Sequence, residues 1–221
     1  MRELHVETIT HGRVLIEDAA SRDSRRWLIG FHGYGQAAED IFNELQQLNP
    51  AREWSIAAPQ ALHRFYTRGD ERVVASWMTR QDRDVTVADN VSYVDRLGLP
   101  LELSEAAPIV FLGFSQGAAM AYRAAVLSRF DAAAVVALAG DIPPEVRAAD
   151  PAVIPRRLRR VLIGAGTRDA WFNQQRLEAD TTFLTAHGVT PEVCRFEGGH
   201  EWTEEFRVDV RRILAALLAP R

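Results

Sequence analysis

Between residues 109 and 127 the chain passes without a linker from an unbroken apolar run, 109–113, into a helix of small residues, 116–127. The junction reads Gly113-Phe114-Ser115-Gln116-Gly117. Glycines at the first and last of these positions remove side chains where an incoming strand and an outgoing helix must nearly touch, and Ala118 and Ala119 continue that close packing. Ser115 is thereby held on a tight turn with its hydroxyl exposed, the geometry that a nucleophilic serine needs. The plainer reading of a serine in this place is a helix N-cap.

The rest of the chain fits such a junction. Short apolar runs at 27–32, 54–58, 133–139, 161–164 and 192–196 read as buried strands. Between them lie segments of helical periodicity at 41–48, 87–97, 171–187 and 204–218. Strands alternating with helices predict a parallel sheet covered on both faces. Residues 4–9 and 13–16, joined through His11-Gly12, read as a hairpin at one sheet edge. The expectation is a mostly parallel eight-stranded sheet in a single α/β domain over 1–221. Residues 60–85 read as an irregular loop, long enough to be functional. The connection 140–160 is too short for a large lid.

Composition removes several function classes. All 26 basic residues are arginine, so a Schiff-base or catalytic-lysine mechanism is excluded. The net charge of −4 gives no reason to expect a nucleic-acid partner. Arg156-Arg157-Leu158-Arg159-Arg160 reads as a solvated turn. The single cysteine, Cys194, can form neither an internal disulfide nor a cysteine-based metal site, and it reads as a buried strand residue. No metal-ligand cluster, phosphate loop or dinucleotide fingerprint is present, so no cofactor is expected. The first residues lack an apolar signal region, and no run approaches the ~20 apolar residues that span a bilayer. The expected location is cytoplasmic, without stable membrane insertion. The partner is a small molecule, and pairing as a homodimer stays open.

A serine hydroxyl needs a base. His200, in Gly198-Gly199-His200-Glu201-Trp202, follows the last strand and precedes the last helix, where a glycine-rich loop can set an imidazole over the sheet edge. The base needs a carboxylate on its far nitrogen. Asp141 and Asp169 both follow strands. Asp169 is favoured, because its strand directly precedes the one that leads to His200. Donors for an oxyanion are expected from the backbone N–H groups of Gln116 and of Tyr34, in the glycine-flanked loop His32-Gly33-Tyr34-Gly35. Trp77, Trp171, Phe172 and Trp202 lie in or beside these loops and are candidates to line an acyl pocket, with core or loop packing as the alternative.

Taken together, Phe31-His32-Gly33-Tyr34-Gly35, Gly113-Phe114-Ser115-Gln116-Gly117, Gly166-Thr167-Arg168-Asp169 and Gly199-His200 resemble the phospholipase/carboxylesterase family of α/β-hydrolases, in order and over essentially the whole chain. The resemblance implies the α/β-hydrolase fold. It implies Ser115, Asp169 and His200 as the triad and Tyr34 and Gln116 as oxyanion donors, and Ala75-Ser76-Trp77 is similar to a family stretch near the acyl site. Departures lie around the substrate: Ala170-Trp171-Phe172 after the aspartate, Tyr34 in the first loop, and Gly140-Asp141-Ile142-Pro143 after a central strand. The implied activity is hydrolysis of carboxylic esters of short to medium acyl chain through an acyl-enzyme. Thioester or lysophospholipid cleavage by the same residues is the near alternative, and a non-catalytic binding protein is the distant one.

Overall fold

A computed structural model describes residues 1–21, 25–69, 71–103 and 108–218. The strands are β1 (Val14–Glu17), β2 (Trp27–Phe31), β3 (Ser55–Pro59), β4 (His63–Tyr66), β5 (Val73–Ser76), β6 (Ile109–Phe114), β7 (Ala134–Leu138), β8 (Val161–Gly166) and β9 (Glu192–Phe196). The helices are α1 (Ala38–Leu48), α2 (Arg83–Arg96), α3 (Gln116–Leu127), α4 (Pro144–Arg147), α5 (Ile154–Arg157), α6 (Gln174–Ala186) and α7 (Glu204–Ala216).

Seven strands form the main sheet in the order β1-β3-β2-β6-β7-β8-β9, and only β1 runs antiparallel to its neighbour. Every residue of β2, β6, β7 and β8 is buried, as expected of strands covered on both faces. Edge strand β9 instead alternates buried and exposed positions along its last residues.

Alternate residues feed two apolar layers. Ile29, Phe31, Phe111 and Val135 face α2, α3 and α6, whereas Leu28, Val110 and Leu112 face α1 and α7. Ile41, Leu45 and Leu48 of α1 recur at helical spacing and are buried. Each contributes roughly 1.5–3 kcal/mol through burial. On that face Arg207 of α7 also grips Glu44 of α1 through Nε and Nη2, at 2.8 and 2.9 Å.

The sheet order places the site. From β2 the chain crosses to β3 on one side, then returns to β6 on the other, so direction reverses between β2 and β6. Phe31 pairs with Gly113 there. Their carboxyl ends open onto the crevice where ligands bind in sheets of this kind.

Three expectations change. Residues 4–9 form no strand, so the sheet has seven strands rather than eight; Leu4, Val6 and Ile9 stand exposed although β1, at the end of the sheet order, has β3 as its single partner among the described strands. Apolar alternation yields a strand where one of its faces can be packed, and these side chains reach no core. The 60–85 stretch is less irregular than expected, since β4 and β5 pair as an antiparallel hairpin. Helix α6 begins at Gln174, not 171, because the N–H groups of Trp171 and Phe172 turn back to Asp169 Oδ1 and Asn173 caps the helix on Arg176 N–H. The segment joining β7 to β8 carries only the four-residue helices α4 and α5, and no large lid is found among the described residues.

Candidate active site

Ser115 sits between β6 and α3 with φ +55° and ψ −119°, a backbone conformation that L-residues rarely adopt. Two glycines make it attainable. A Cβ on Gly113 would stand 2.0 Å from Gly117 O, and one on Gly117 would stand 2.0 Å from Phe31 O. The turn is also held from β7, where Leu138 O accepts the Ser115 N–H at 2.8 Å.

Three loops bring the polar groups together. Ser115 Oγ lies 2.8 Å from His200 Nε2. His200 Nδ1 lies 2.8 Å from Asp169 Oδ2. Asp169 is nearly buried, and its Oδ1 accepts the N–H groups of Trp171 and Phe172 at 2.8 and 3.0 Å. With both oxygens engaged as acceptors, the carboxylate holds the proton of the imidazole on Nδ1 and leaves Nε2 to face the serine. The His200 ring rests on Phe114, 5.1 Å between centroids. Asp141 is not part of this series: it lines the same cavity, half exposed, but pairs with Arg176 Nη1 at 2.6 Å.

The loop after β2 is fixed by hydrogen bonds that leave one donor over. Gly33 N–H goes to Gln36 Oε1, Gly35 N–H to Ala75 O and Gln36 N–H to Gly33 O. No acceptor for the Tyr34 N–H is found among the described residues. Gln116 opens α3, where a backbone N–H has no carbonyl one turn behind it. Both donors border the same cavity as Ser115.

Two side chains act here in ways the motifs did not disclose. His32 is fully buried, and burial pulls its imidazole below the ordinary value against the raising effect of Gly33 O. The neutral ring donates from Nδ1 to Gly33 O at 2.8 Å and accepts Ala61 N–H on Nε2 at 3.1 Å. The Gln116 amide accepts Trp77 N–H at 2.7 Å and donates to Met78 O at 2.9 Å. It thereby fastens the foot of the β4–β5 hairpin to the serine turn. Glycines flagged the backbone in both places, but no pattern flagged the side-chain partners, which come from segments about 30 to 40 residues away.

The cavity over Ser115 has a volume of about 560 Å³. Of the aromatic candidates, Trp171 and Phe172 line it, Trp171 largely exposed and Phe172 buried. Trp77 does not. It is wholly inside the core, edge-on to Phe31, with Nε1 donating to His32 O at 2.9 Å. Trp202 also stands outside the lining and packs between Phe114 and Phe206. Large aromatics near active loops satisfied the core first. Met78, Pro143 and Pro144 add apolar wall, and Arg83, Arg123 and Arg176 add charge. Arg123 is the one charged residue inside α3, which was its signal in the sequence. It shares Glu145 with Arg83. Burial pulls the Arg123 guanidinium down while Glu145 opposes this; burial pushes the Glu145 carboxyl up, but the two arginines bring it below its usual range.

Among the described residues one group of side chains could surround a metal ion, Glu3, His5 and Asp82, all exposed and remote in sequence from the serine turn. No helix is long and apolar enough to cross a membrane.

Known proteins share the fold that carries these residues. Solved structures with the same fold include acyl-protein thioesterase 2 of Zea mays, 18% identical, with 95% of this chain and 100% of that one covered at a TM-score of 0.74. They include esterase PE8, also 18% identical, with 94% and 99% covered at 0.73. A carboxylesterase from Mesorhizobium loti is 21% identical, with 87% and 90% covered at 0.69. No curated protein matches the chain. The family model described as phospholipase/carboxylesterase matches residues 14–217, from the first strand of the sheet to the end of the last helix. The chain belongs to the phospholipase/carboxylesterase family of α/β-hydrolases.

Proposed function

We propose that the chain is a serine hydrolase that cleaves carboxylic esters of short to medium acyl chain through an acyl-enzyme. The observation that carries this reading is the unbroken hydrogen-bonded series from Ser115 through His200 to Asp169, whose first two members line the cavity. His200 Nε2 takes the Ser115 proton as Oγ attacks the ester carbonyl. The developing oxyanion is received by the backbone N–H groups of Tyr34 and Gln116. The tetrahedral adduct collapses, the C–O bond to the alcohol breaks, and the imidazolium protonates the departing oxygen. Water then enters, gives a proton to His200 and attacks the acyl carbon. The second collapse returns that proton to Ser115 and frees the acid. Asp169 stabilises the imidazolium in both halves.

Trp171, Phe172 and Met78 supply the apolar wall for an acyl chain, and the size of the cavity falls within the range of small-molecule sites. Thioesters present the same carbonyl to the same groups, so a panel of esters and thioesters of graded length ranks the two substrates.

The test is Ser115→Ala. A folded variant should lose roughly six orders of magnitude in kcat, together with covalent labelling by a fluorophosphonate. Near-normal turnover in that variant would sink the reading.

A further inference from the structure

The cavity beside Ser115 is not walled by apolar side chains alone, and its charges do not balance locally. Arg176 is answered by Asp141. Arg83 and Arg123 share one carboxylate: Arg83 Nη2 lies 2.5 Å from Glu145 Oε2, and Arg123 Nε bonds the other oxygen. With Asp141 also acting on Arg123 across the cavity, three arginines are met by two carboxylates, and one positive charge remains in excess. Arg123 is only 2% exposed, and its buried Nη1 finds no hydrogen-bond partner among the described residues. Holding a buried donor unmet costs about 1–3 kcal/mol, more when the group is charged. Such a cost fits a site that a ligand's acceptor completes.

Position along α3 fits as well. Gln116, Ala119 and Arg123 recur at one-face spacing and all line the cavity. At 1.5 Å per residue, the Arg123 backbone stands roughly 10 Å beyond Gln116 along the axis. Helical side chains lean back toward the N-terminus, so the guanidinium lies nearer to the reacting carbonyl than that. A chain of a few carbons spans the gap.

We propose that this cavity selects esters carrying a carboxylate a few bonds from the ester carbonyl, with that carboxylate seated against Arg83 and Arg123. The inference rests on the hydrolase reading above and names its substrate class. The carboxylate has two sources, the acyl half of a dicarboxylic acid hemiester or the alcohol half of an acylated hydroxy acid.

The experiment pairs each source with an uncharged isostere. Monoethyl glutarate is set against its terminal carboxamide, and O-butyrylglycolate against O-butyrylglycolamide, with acid release followed by titration. In at least one pair the carboxylate should raise kcat/KM tenfold or more, mainly through KM, and added salt should erode the gain. The pair that responds identifies the source. Arg83→Gln, which alters the more exposed guanidinium, should shrink the ratio at least fivefold. Arg123→Met tests the buried partner, and because it puts the fold at risk a measurement on the unaltered protein stands beside it. Glutarate should slow fluorophosphonate labelling of Ser115 at concentrations where the uncharged diamide, glutaramide, does not. Uncharged esters cleaved as fast as carboxylates in both pairs, with no protection by glutarate, would overturn the proposal and leave the hydrolase reading standing. Absence of both labelling and turnover would overturn the two together.

Discussion

Replacing Asp169 with asparagine isolates what the carboxylate does, because the structure dictates which way the new amide must point. Asp169 Oδ1 accepts two backbone N–H groups, from Trp171 and Phe172. In the variant only the amide oxygen can serve them, so the NH2 group is turned toward His200 Nδ1. Two donors then face one another across 2.8 Å. The imidazole escapes by moving its proton to Nε2, the atom that must accept the Ser115 proton. The alternative amide orientation restores the tautomer but sets NH2 against two N–H groups, which costs at least one buried hydrogen bond twice over, about 2–6 kcal/mol. The wrong tautomer therefore dominates, and the expected loss in kcat is about 10⁴-fold, the size seen for this substitution in the best-studied triad. Asp141→Asn removes only a half-exposed partner of Arg176 and should cost tenfold or less. Pre-steady-state release of p-nitrophenol from a short-chain ester measures the acylation step in both variants. A loss under about 100-fold in well-folded Asp169→Asn, or the opposite ranking of the two variants, would refute the reasoning.

Two further variants test the packing and the buried charge. Gly117→Ala places a Cβ 2.0 Å from Phe31 O, so β2 and α3 must part; urea denaturation should show a loss above about 2 kcal/mol, and a change below ~0.5 would contradict the close approach. Asp180 is buried, and burial pushes its carboxyl up to about 7 although Ile142 N–H and Arg147 pull the other way. The folded protein thus holds that proton more tightly than the unfolded chain does. The resulting stabilisation is complete below about pH 4 and is lost as pH rises through about 7. Between pH 5 and 8 the protein should lose several degrees of Tm relative to Asp180→Asn, at about 2–4 °C per kcal/mol for a chain of this size. Parallel Tm profiles for the two proteins would contradict it.

What the sequence disclosed and what it hid divide along a physical line. The strand-turn-helix around Ser115 was legible because its glycines answer a local demand, the approach of Gly117 to the Phe31 carbonyl. Asp169 and His200 were legible because loops at strand ends repeat a local grammar of glycine followed by a polar residue. Trp77 was misplaced among the pocket candidates because only tertiary packing decides whether an indole beside an active loop faces ligand or core. The β4–β5 hairpin was missed for a similar reason. It docks through the bridge between Gln36 and Ala75, a pairing between segments nearly forty residues apart. The opening strand failed in the opposite direction, with a plausible local pattern whose apolar side chains reach no core.

The Gln116 amide gives the hairpin a root at the serine turn, and at the far end Arg72 ties it separately to Asp40 of α1 at 2.5 Å. Trp77 N–H and Met78 O are tied to the serine turn, while the pair Tyr66 and Val73 stands at the opposite end of the hairpin. Lengthening a surface connection costs little, about 0.6 kcal/mol for each doubling of its length. An insertion between Tyr66 and Val73 can therefore lengthen the hairpin without moving the reacting atoms. In evolutionary terms the serine turn is insulated from that loop tip, since no residue of β4 or β5 lines the cavity. Descendants of this sequence can vary the tip at little cost, and a designer grafting a new segment would place it there and leave Gln116 untouched.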